Sequence, residues 1–385
     1  MDNKTVNTKL DLKLNELSAR TWNFLKLNET GFSENVELNG RGECIIHNIP
    51  AGVIIGSEGC DSCGRAVHRS AAELKTLAQK VKSDSFKGMK TGMGADADWF
   101  FNNYCNEALS IRAVCGAGAV KPLKLNYRLG NGDGYVVKQN ITAEEGSFLT
   151  VIMDYSGDRK DSGFFGVQTK IRAAKGSTVN VIKIELLGEG FSHFEDIGGI
   201  AEDGARINII QMILGGGQNY AGLNVELSGS RSSFEGNVGY LCLNGQSLDM
   251  NYYIGHSGKK TESSLRVEGA LRDRGSKTFR GTIDLKRGAK GACGDEQEGT
   301  LLLSEGVRNK TLPIILCDED DVEGTHGASI GRLSADMLFY MQSRGISEKE
   351  AELLMTKAKL NTVRNLIGDE QSIGKIQHYM EEAFL

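Results

Sequence analysis

Three stretches of this chain share one pattern: AEEGSFLTV at 143–151, AAKGSTVNV at 173–181 and AEDGARINI at 201–209. Each places Ala, two residues, Gly and a small residue ahead of an alternating apolar run. Weaker echoes follow at Leu227-Ser228-Gly229-Ser230 and Arg274-Gly275-Ser276. The glycines fall at 146, 176, 204, 229 and 275, with gaps of 30, 28, 25 and 46, the last read as two of 23. A period of roughly 20 to 50 residues points to a solenoid, a propeller or an array. Val179 and Val181 share one strand face, as do Ile207 and Ile209. After Val181 the apolar positions move to Ile182 and Ile184 around Lys183, which predicts a bulge or bend. Glycine at each turn lets the backbone take positive φ. Strands joined by turns, with no helical period between them, fit a stacked β-solenoid better than a βαβ sheet. A β-sandwich is the alternative. Each coil of a solenoid buries its apolar face only against its neighbours, so both ends need covers.

Glycine makes up 49 of 385 residues, nearly twice the usual share of about 7%, and proline only three. That composition suits many tight turns and argues against disorder. Three regions are expected: a mixed helical region at 1–110, a β-helix core at 111–316 and a helical region at 317–385. Helix-like pieces run from Lys13 to Phe24 and from His68 to Val81. Ser334 can cap a helix through Met341 that Gly345 ends. Ser347-Glu348-Lys349-Glu350 reads as a capping box for a second helix, and a third spans Asp369 to Phe384. Phe339, Tyr340 and Met341 put more bulk on the first helix than one buried stripe needs. They either pack on the end of the solenoid or face a partner.

A net charge of −5 argues against a broad nucleic-acid face. No apolar run approaches the roughly 20 residues that span a bilayer. The opening MDNKTVNTKLDLKLNEL lacks the apolar core of an export signal, so the eight cysteines are expected to be reduced thiols in the cytoplasm. No P-loop is present: Gly258-Lys259-Lys260-Thr261 resembles its tail, but Tyr253 occupies the place of the upstream glycine. Neither HExxH nor GxSxG occurs.

Two places hold donors for a metal. Cys60 and Cys63 form a CxxC with His68 five residues on, and Cys44 and His47 lie near in sequence. Two thiolates and an imidazole make most of a soft-metal site, and thiols on a turn are the plainer reading. The second place is the segment from Leu301 to Ile346, which changes from extended chain to helix. Between the two lie Asp318-Glu319-Asp320-Asp321 and a lone His326 among small residues. A neutral imidazole binds iron or zinc, and carboxylates attract hard cations. The plainer reading is a buried histidine and a solvated acidic turn. Cys317, Cys293, Asp295, Glu296 and Glu298 enlarge the set of possible ligands.

The stretch TFRGTIDLKRGA, then Gln297, LLLS, Pro313, DDVEGTHGAS, Gly331 and LFYMQSRGIS closely resembles the signature of the SufB/SufD family, scaffolds of the SUF iron–sulfur cluster assembly system. His256 with Thr261 and Ser263, and Arg20-Thr21-Trp22 through Leu27, resemble further family stretches. The resemblance implies a parallel β-helix with helical ends. It also implies docking of the ABC-type ATPase SufC through the C-terminal helices, where Leu338, Phe339, Tyr340 and Arg344 are the expected contacts. Its partners would be a SufB-type scaffold or a second copy, and the cysteine desulfurase system. SufB-type members carry a cysteine ligand after the glutamine, where this chain has Glu298. Gly327 follows His326 as in SufD-type members, although their cysteine two residues before the histidine is Gly324 here. The pattern leans towards SufD.

The expectation is thus a cytoplasmic, non-enzymatic scaffold that takes up iron or a transient Fe–S cluster through His326, with Glu298 or Cys293 as co-ligands. It binds no nucleotide of its own, no nucleic acid and no membrane. A structural adaptor that docks SufC without touching iron is the alternative. A carbohydrate-active β-helix enzyme is a more distant one, because such enzymes need paired carboxylates on one solenoid face, whereas the acids here cluster at turns and at the C-terminal junction and no export signal is seen.

Overall fold

The computed structural model describes residues 5–21, 23–57 and 86–384. The helix expected from His68 to Val81, and the candidate metal site at Cys60, Cys63 and His68, lie outside them.

The described chain is mainly β. Successive strands alternate between two nine-stranded sheets, one running from Glu43–His47 to Val322–Arg332 and the other from Val53–Ser57 to Arg308–Cys317. From Glu107 onward the strands pair with one another in parallel and in register. Each coil gives one strand to each sheet, which makes a parallel β-solenoid. Glu43–His47 and Val53–Ser57 pair antiparallel on its first coil. Strands continue to Arg332, past the boundary expected at 316.

The repeat has a backbone cause. Gly146 N–H donates to Lys175 O, Gly176 to Asp203 O, Gly204 to Ser230 O, Arg231 to Lys259 O and Lys260 to Lys290 O. Each donor has a left-handed φ between 54° and 65°. The ladder therefore continues through the turns, with equivalent residues 27 to 30 apart. This corrects the reading of Gly229 and Gly275 as positive-φ turn glycines. Arg231 takes the left-handed position in place of Gly229, while a Cβ on Gly229 would overlap the backbone of Asp203. Gly275 likewise lies against Cys242 O.

No bulge follows Val181. The strand Thr178–Leu186 keeps unbroken register with Phe148–Ser156 and Arg206–Ile213. Val179 and Val181 belong to the interior core, and Lys183 continues their row, buried against Glu195. Ile182, Ile184 and Leu186 point outward and are buried under helices. A strand covered on both faces reads as a nearly continuous apolar run, and that is what made the periodicity seem to switch.

Four α-helices occur in the described residues: α1 (Ala95–Tyr104), α2 (Ala335–Ser343), α3 (Glu348–Arg364) and α4 (Glu370–Ala383). Leu360 and Val363 of α3 and Ile376 and Met380 of α4 pack on Ile182, Ile184, Met212, Leu214 and Leu241. Each such side chain contributes roughly 1.5–3 kcal/mol by leaving water. These helices lie along the side of one sheet, not over the end of the solenoid. The helix expected from Lys13 to Phe24 does not form: Lys13 and Leu14 end a strand, Val6–Leu14, that pairs with Thr30–Leu38, and Asn23–Leu25 makes a short 3-10 turn. Leu10, Leu12 and Leu14 alternate with Asp11 and Lys13, and that period of two buries one face. This hairpin and α1 cover the other sheet through Phe32, Phe100, Phe164 and Phe194. Arg280 anchors it, donating from Nη1 to Asp249 at 2.6 Å and from Nη2 to Thr30 at 3.0 Å.

Candidate site at the open end of the solenoid

The final coil is built differently from those before it. Interior strands bury one full row of side chains, whereas Val322–Arg332 has no buried residue and Arg308–Cys317 none either. Ile330 is 49% exposed. The inside of the solenoid opens to solvent there.

His326 lies on this last strand. In the parallel ladder it stands opposite Glu296, with Ala328 opposite Glu298 and Ile330 opposite Thr300. Side chains in register on neighbouring parallel strands point the same way, about 4.8 Å apart. Glu296, Glu298 and Thr300 are buried on the inward face of Ala292–Leu302, so His326 belongs to the inward row. It is exposed because no further coil of the described residues stacks on it. Phe279-Arg280-Gly281 supplies room beneath: a Cβ on Gly281 would overlap the Glu296 carboxylate.

The two glutamates differ in state. Glu298 forms a buried ion pair with Lys277 and accepts from Thr300 Oγ1 at 3.0 Å, while Lys277 also donates to Thr311 at 3.0 Å. Burial pushes the Glu296 carboxyl up to about 8, helped by the adjacent charges of Glu298 and Asp295 and opposed by Lys277. Burial likewise lowers the Lys277 ammonium, against the pull of Glu298. Among the described residues one group of three metal-capable donors has its ligand atoms within 4.8 Å of one another, and it lies elsewhere, in the middle of the solenoid. The donors at the open end are spread wider.

Cys293 is not brought to them. It lies on the outward face of the strand that turns Glu298 inward, opposite Glu262 and Glu323. Partial burial and those carboxylates raise its thiol above the ordinary range, which leaves less of the nucleophilic thiolate. Cys317 is exposed at the end of its strand and donates to Glu319 O at 3.3 Å. The acidic segment forms the surface corner between the last two strands; Glu319 accepts from Gly288 N–H at 2.8 Å. Glu296 and Lys277 are the partners that spacing alone underrated. The even separation of 296 from 298, and of 326 from 328, carried that signal once the strands were known to be parallel.

Ser334 caps α2 by accepting from Met337 N–H at 3.2 Å, and Ser347 and Glu350 form the capping box of α3. No residue of α2 is buried. Phe339 and Tyr340 are 73% and 58% exposed, Leu338 is half-buried, and the Arg344 guanidinium lies 5.3 Å from the Tyr340 ring centre. The bulk on this helix thus faces outward instead of packing on the solenoid.

Comparison with known proteins places these features in company. The family model for the SUF system FeS cluster assembly SufBD core domain matches residues 128–359. The chain is 28% identical over 229 residues to the iron–sulfur cluster assembly protein SufD of Bacillus subtilis (strain 168), covering 58% of this chain and 52% of that protein. It is 24% identical over 236 residues to SufD of Escherichia coli (strain K12), covering 60% and 55%. A SufBD family protein of Staphylococcus saprophyticus is 33% identical over 107 residues, covering 28% and 23%. The match to the two SufD proteins spans about half of their length.

Proposed function

The chain belongs to the SufBD core family of the SUF iron–sulfur cluster assembly system, and from that premise we propose that it is a SufD-like, non-enzymatic scaffold subunit of the assembly machine, acting in the cytoplasm. One arrangement carries the reading: His326 continues the inward row of the solenoid on a coil that leaves it open to solvent, beside the buried Glu296 and Glu298.

Iron is the cargo in this reading. An imidazole with hard carboxylates suits ferrous iron. His326 receives it at the rim, and Glu296 and Glu298 lie behind. Glu298 is held by Lys277, so drawing it into a ligand set requires loosening a buried ion pair. A second solenoid, either a SufB-type scaffold or another copy of this chain, stacks on the open end and closes the site. A SufC-type ATPase docks on α2 and the start of α3 through Leu338, Phe339, Tyr340 and Arg344. Its ATP-driven motion, passed through residues 334–360, shifts one solenoid against the other and opens the space where iron meets sulfide. The sulfide comes from the cysteine desulfurase system. The chain supplies no nucleotide site of its own.

Anaerobic ferrous iron binding to wild type and His326→Ala tests the iron role. The variant is expected to hold less iron, and equal stoichiometry ends the role of His326. That result would favour the second reading, an adaptor that docks SufC without touching iron. The engagement of Glu298 by Lys277 and the outward placement of Cys293 support this second reading. Cys60, Cys63 and His68 remain a proposed soft-metal site, tested by the same binding measurement on Cys60→Ser.

A further inference from the structure

A second set of donors lies deep inside the solenoid, far along the chain from His326. Glu185 lies one residue before the end of its strand on one sheet, and His193 and Glu195 lie two residues apart on the next strand, in the facing sheet. All three are at most 1% exposed. We propose that His193 Nε2 and one carboxylate oxygen each of Glu185 and Glu195 bind a divalent first-row transition-metal ion, resident inside the fold.

The imidazole is already set as a ligand. His193 Nδ1 lies 2.8 Å from Phe165 O. A carbonyl only accepts, so Nδ1 carries the proton and Nε2 presents its lone pair. This is how a second-shell carbonyl fixes the tautomer of a metal-bound histidine. Nε2 faces Glu185 Oε2 at 3.5 Å and Glu195 Oε2 at 3.8 Å, and none of these three buried atoms has a hydrogen-bond partner.

The other carboxylate oxygens are occupied. Glu185 Oε1 accepts from Gln211 Nε2 at 3.3 Å, and Gln211 Oε1 accepts from Tyr252 at 2.6 Å. Glu195 Oε1 takes the Lys183 ammonium, which also donates to Thr169 at 2.8 Å. Each carboxylate is therefore held by one oxygen while the other is directed into a common space. Leaving a buried polar atom unpaired costs about 1–3 kcal/mol, and three such atoms converge here. At 3.5 and 3.8 Å the two oxygens stand farther from Nε2 than the roughly 2.7–3.2 Å of an ordinary N–H···O bond, so direct contact does not pair these atoms. A metal ion does. With arms of about 2.1 Å, tetrahedral ligand atoms stand about 3.4 Å apart, close to the separations found.

Charge points the same way. Two acidic side chains, Glu185 and Glu195, share this fully buried space with one lysine, Lys183, so a cation adds the partner that the donor set lacks. The mixed oxygen and nitrogen donors, with no thiolate among them, suit iron(II), zinc or manganese(II) over soft ions. Phe165 stacks on the His193 ring at 5.4 Å and Tyr155 packs edge-on at 5.6 Å, closing the space with aromatic walls. An ion there enters as the chain folds and stays, unlike cargo at the open end. The inference does not rest on the proposed iron role of His326.

Full-length protein made in cells grown with added cobalt(II), then treated with a chelator, provides the test. Metal content by mass spectrometry should show one chelator-resistant ion per chain in wild type and in His326→Ala, and none in His193→Gln. Equal retention in His193→Gln overturns the proposal. Should that variant fail to fold, crystals of the wild type decide. An anomalous difference peak between His193, Glu185 and Glu195 supports the site, and its absence overturns it.

Discussion

Lys277 and Glu298 form an ion pair inside the solenoid, one coil from its open end, with both side chains at most 1% exposed. Removing one partner of such a pair strands the other charge in a low-dielectric interior, at a cost of about 3–5 kcal/mol. Glu298→Ala should therefore lose about that much stability in urea unfolding. The double variant Lys277→Met, Glu298→Leu should recover most of it. A double variant no more stable than the single would show that the loss is one of packing, not of charge.

His256 gives the fold a pH dependence. It is fully buried, with Thr261 Oγ1 2.8 Å from Nδ1 and Ser263 Oγ 2.9 Å from Nε2. Burial lowers its pKa to about 4, with Lys286 adding to the effect and Glu226 opposing it. Between about 6.5 and 4 the unfolded chain binds the proton and the folded chain does not. The stability contribution is thus complete above about pH 6.5 and is lost as pH falls towards 4, at up to about 1.4 kcal/mol per unit. Urea unfolding at pH 7, 6 and 5 should show a steeper loss for wild type than for His256→Asn. Parallel curves would remove His256 as the cause.

The repeat glycines should respond unequally to alanine. Gly176 has φ +65° with nothing near its missing Cβ, so Gly176→Ala costs only the left-handed penalty, about 1–2 kcal/mol. At Gly229 the Cβ would run into the backbone of Asp203, and the coils must part. Thermal melts should place Gly229→Ala well below Gly176→Ala. The reverse order would contradict the stacked-turn account.

Phe339 and Tyr340 can be tested for binding apart from folding. Both are exposed on α2, so Phe339→Asp should change stability by no more than about 0.5 kcal/mol. A pull-down with a SufC-type ATPase should nonetheless lose the partner. Undiminished capture would move the docking surface elsewhere.

The solenoid was legible in the sequence because its turns repeat, and AEEG, AAKG and AEDG mark three successive left-handed corners. The next corners were misread because Arg231 and Lys260 take that conformation without glycine, while Gly229 serves a close approach that no local pattern reveals. The caps of α2 and α3 were legible because capping is chemistry within four residues. His326 could be named from its neighbours, but its partner Glu296 is set by a parallel register between strands thirty residues apart. His193 was not singled out at all. Its partners come from two facing sheets, and Phe165, which fixes its tautomer, belongs to the previous coil.

Among the described residues no strand pairs with the outer edge of the last two strands, which are ten and eleven residues long, and at the opposite end the sheets finish in five-residue antiparallel strands that offer a far shorter template. One long parallel edge and one short antiparallel edge make the two ends unequal templates for the addition of a strand.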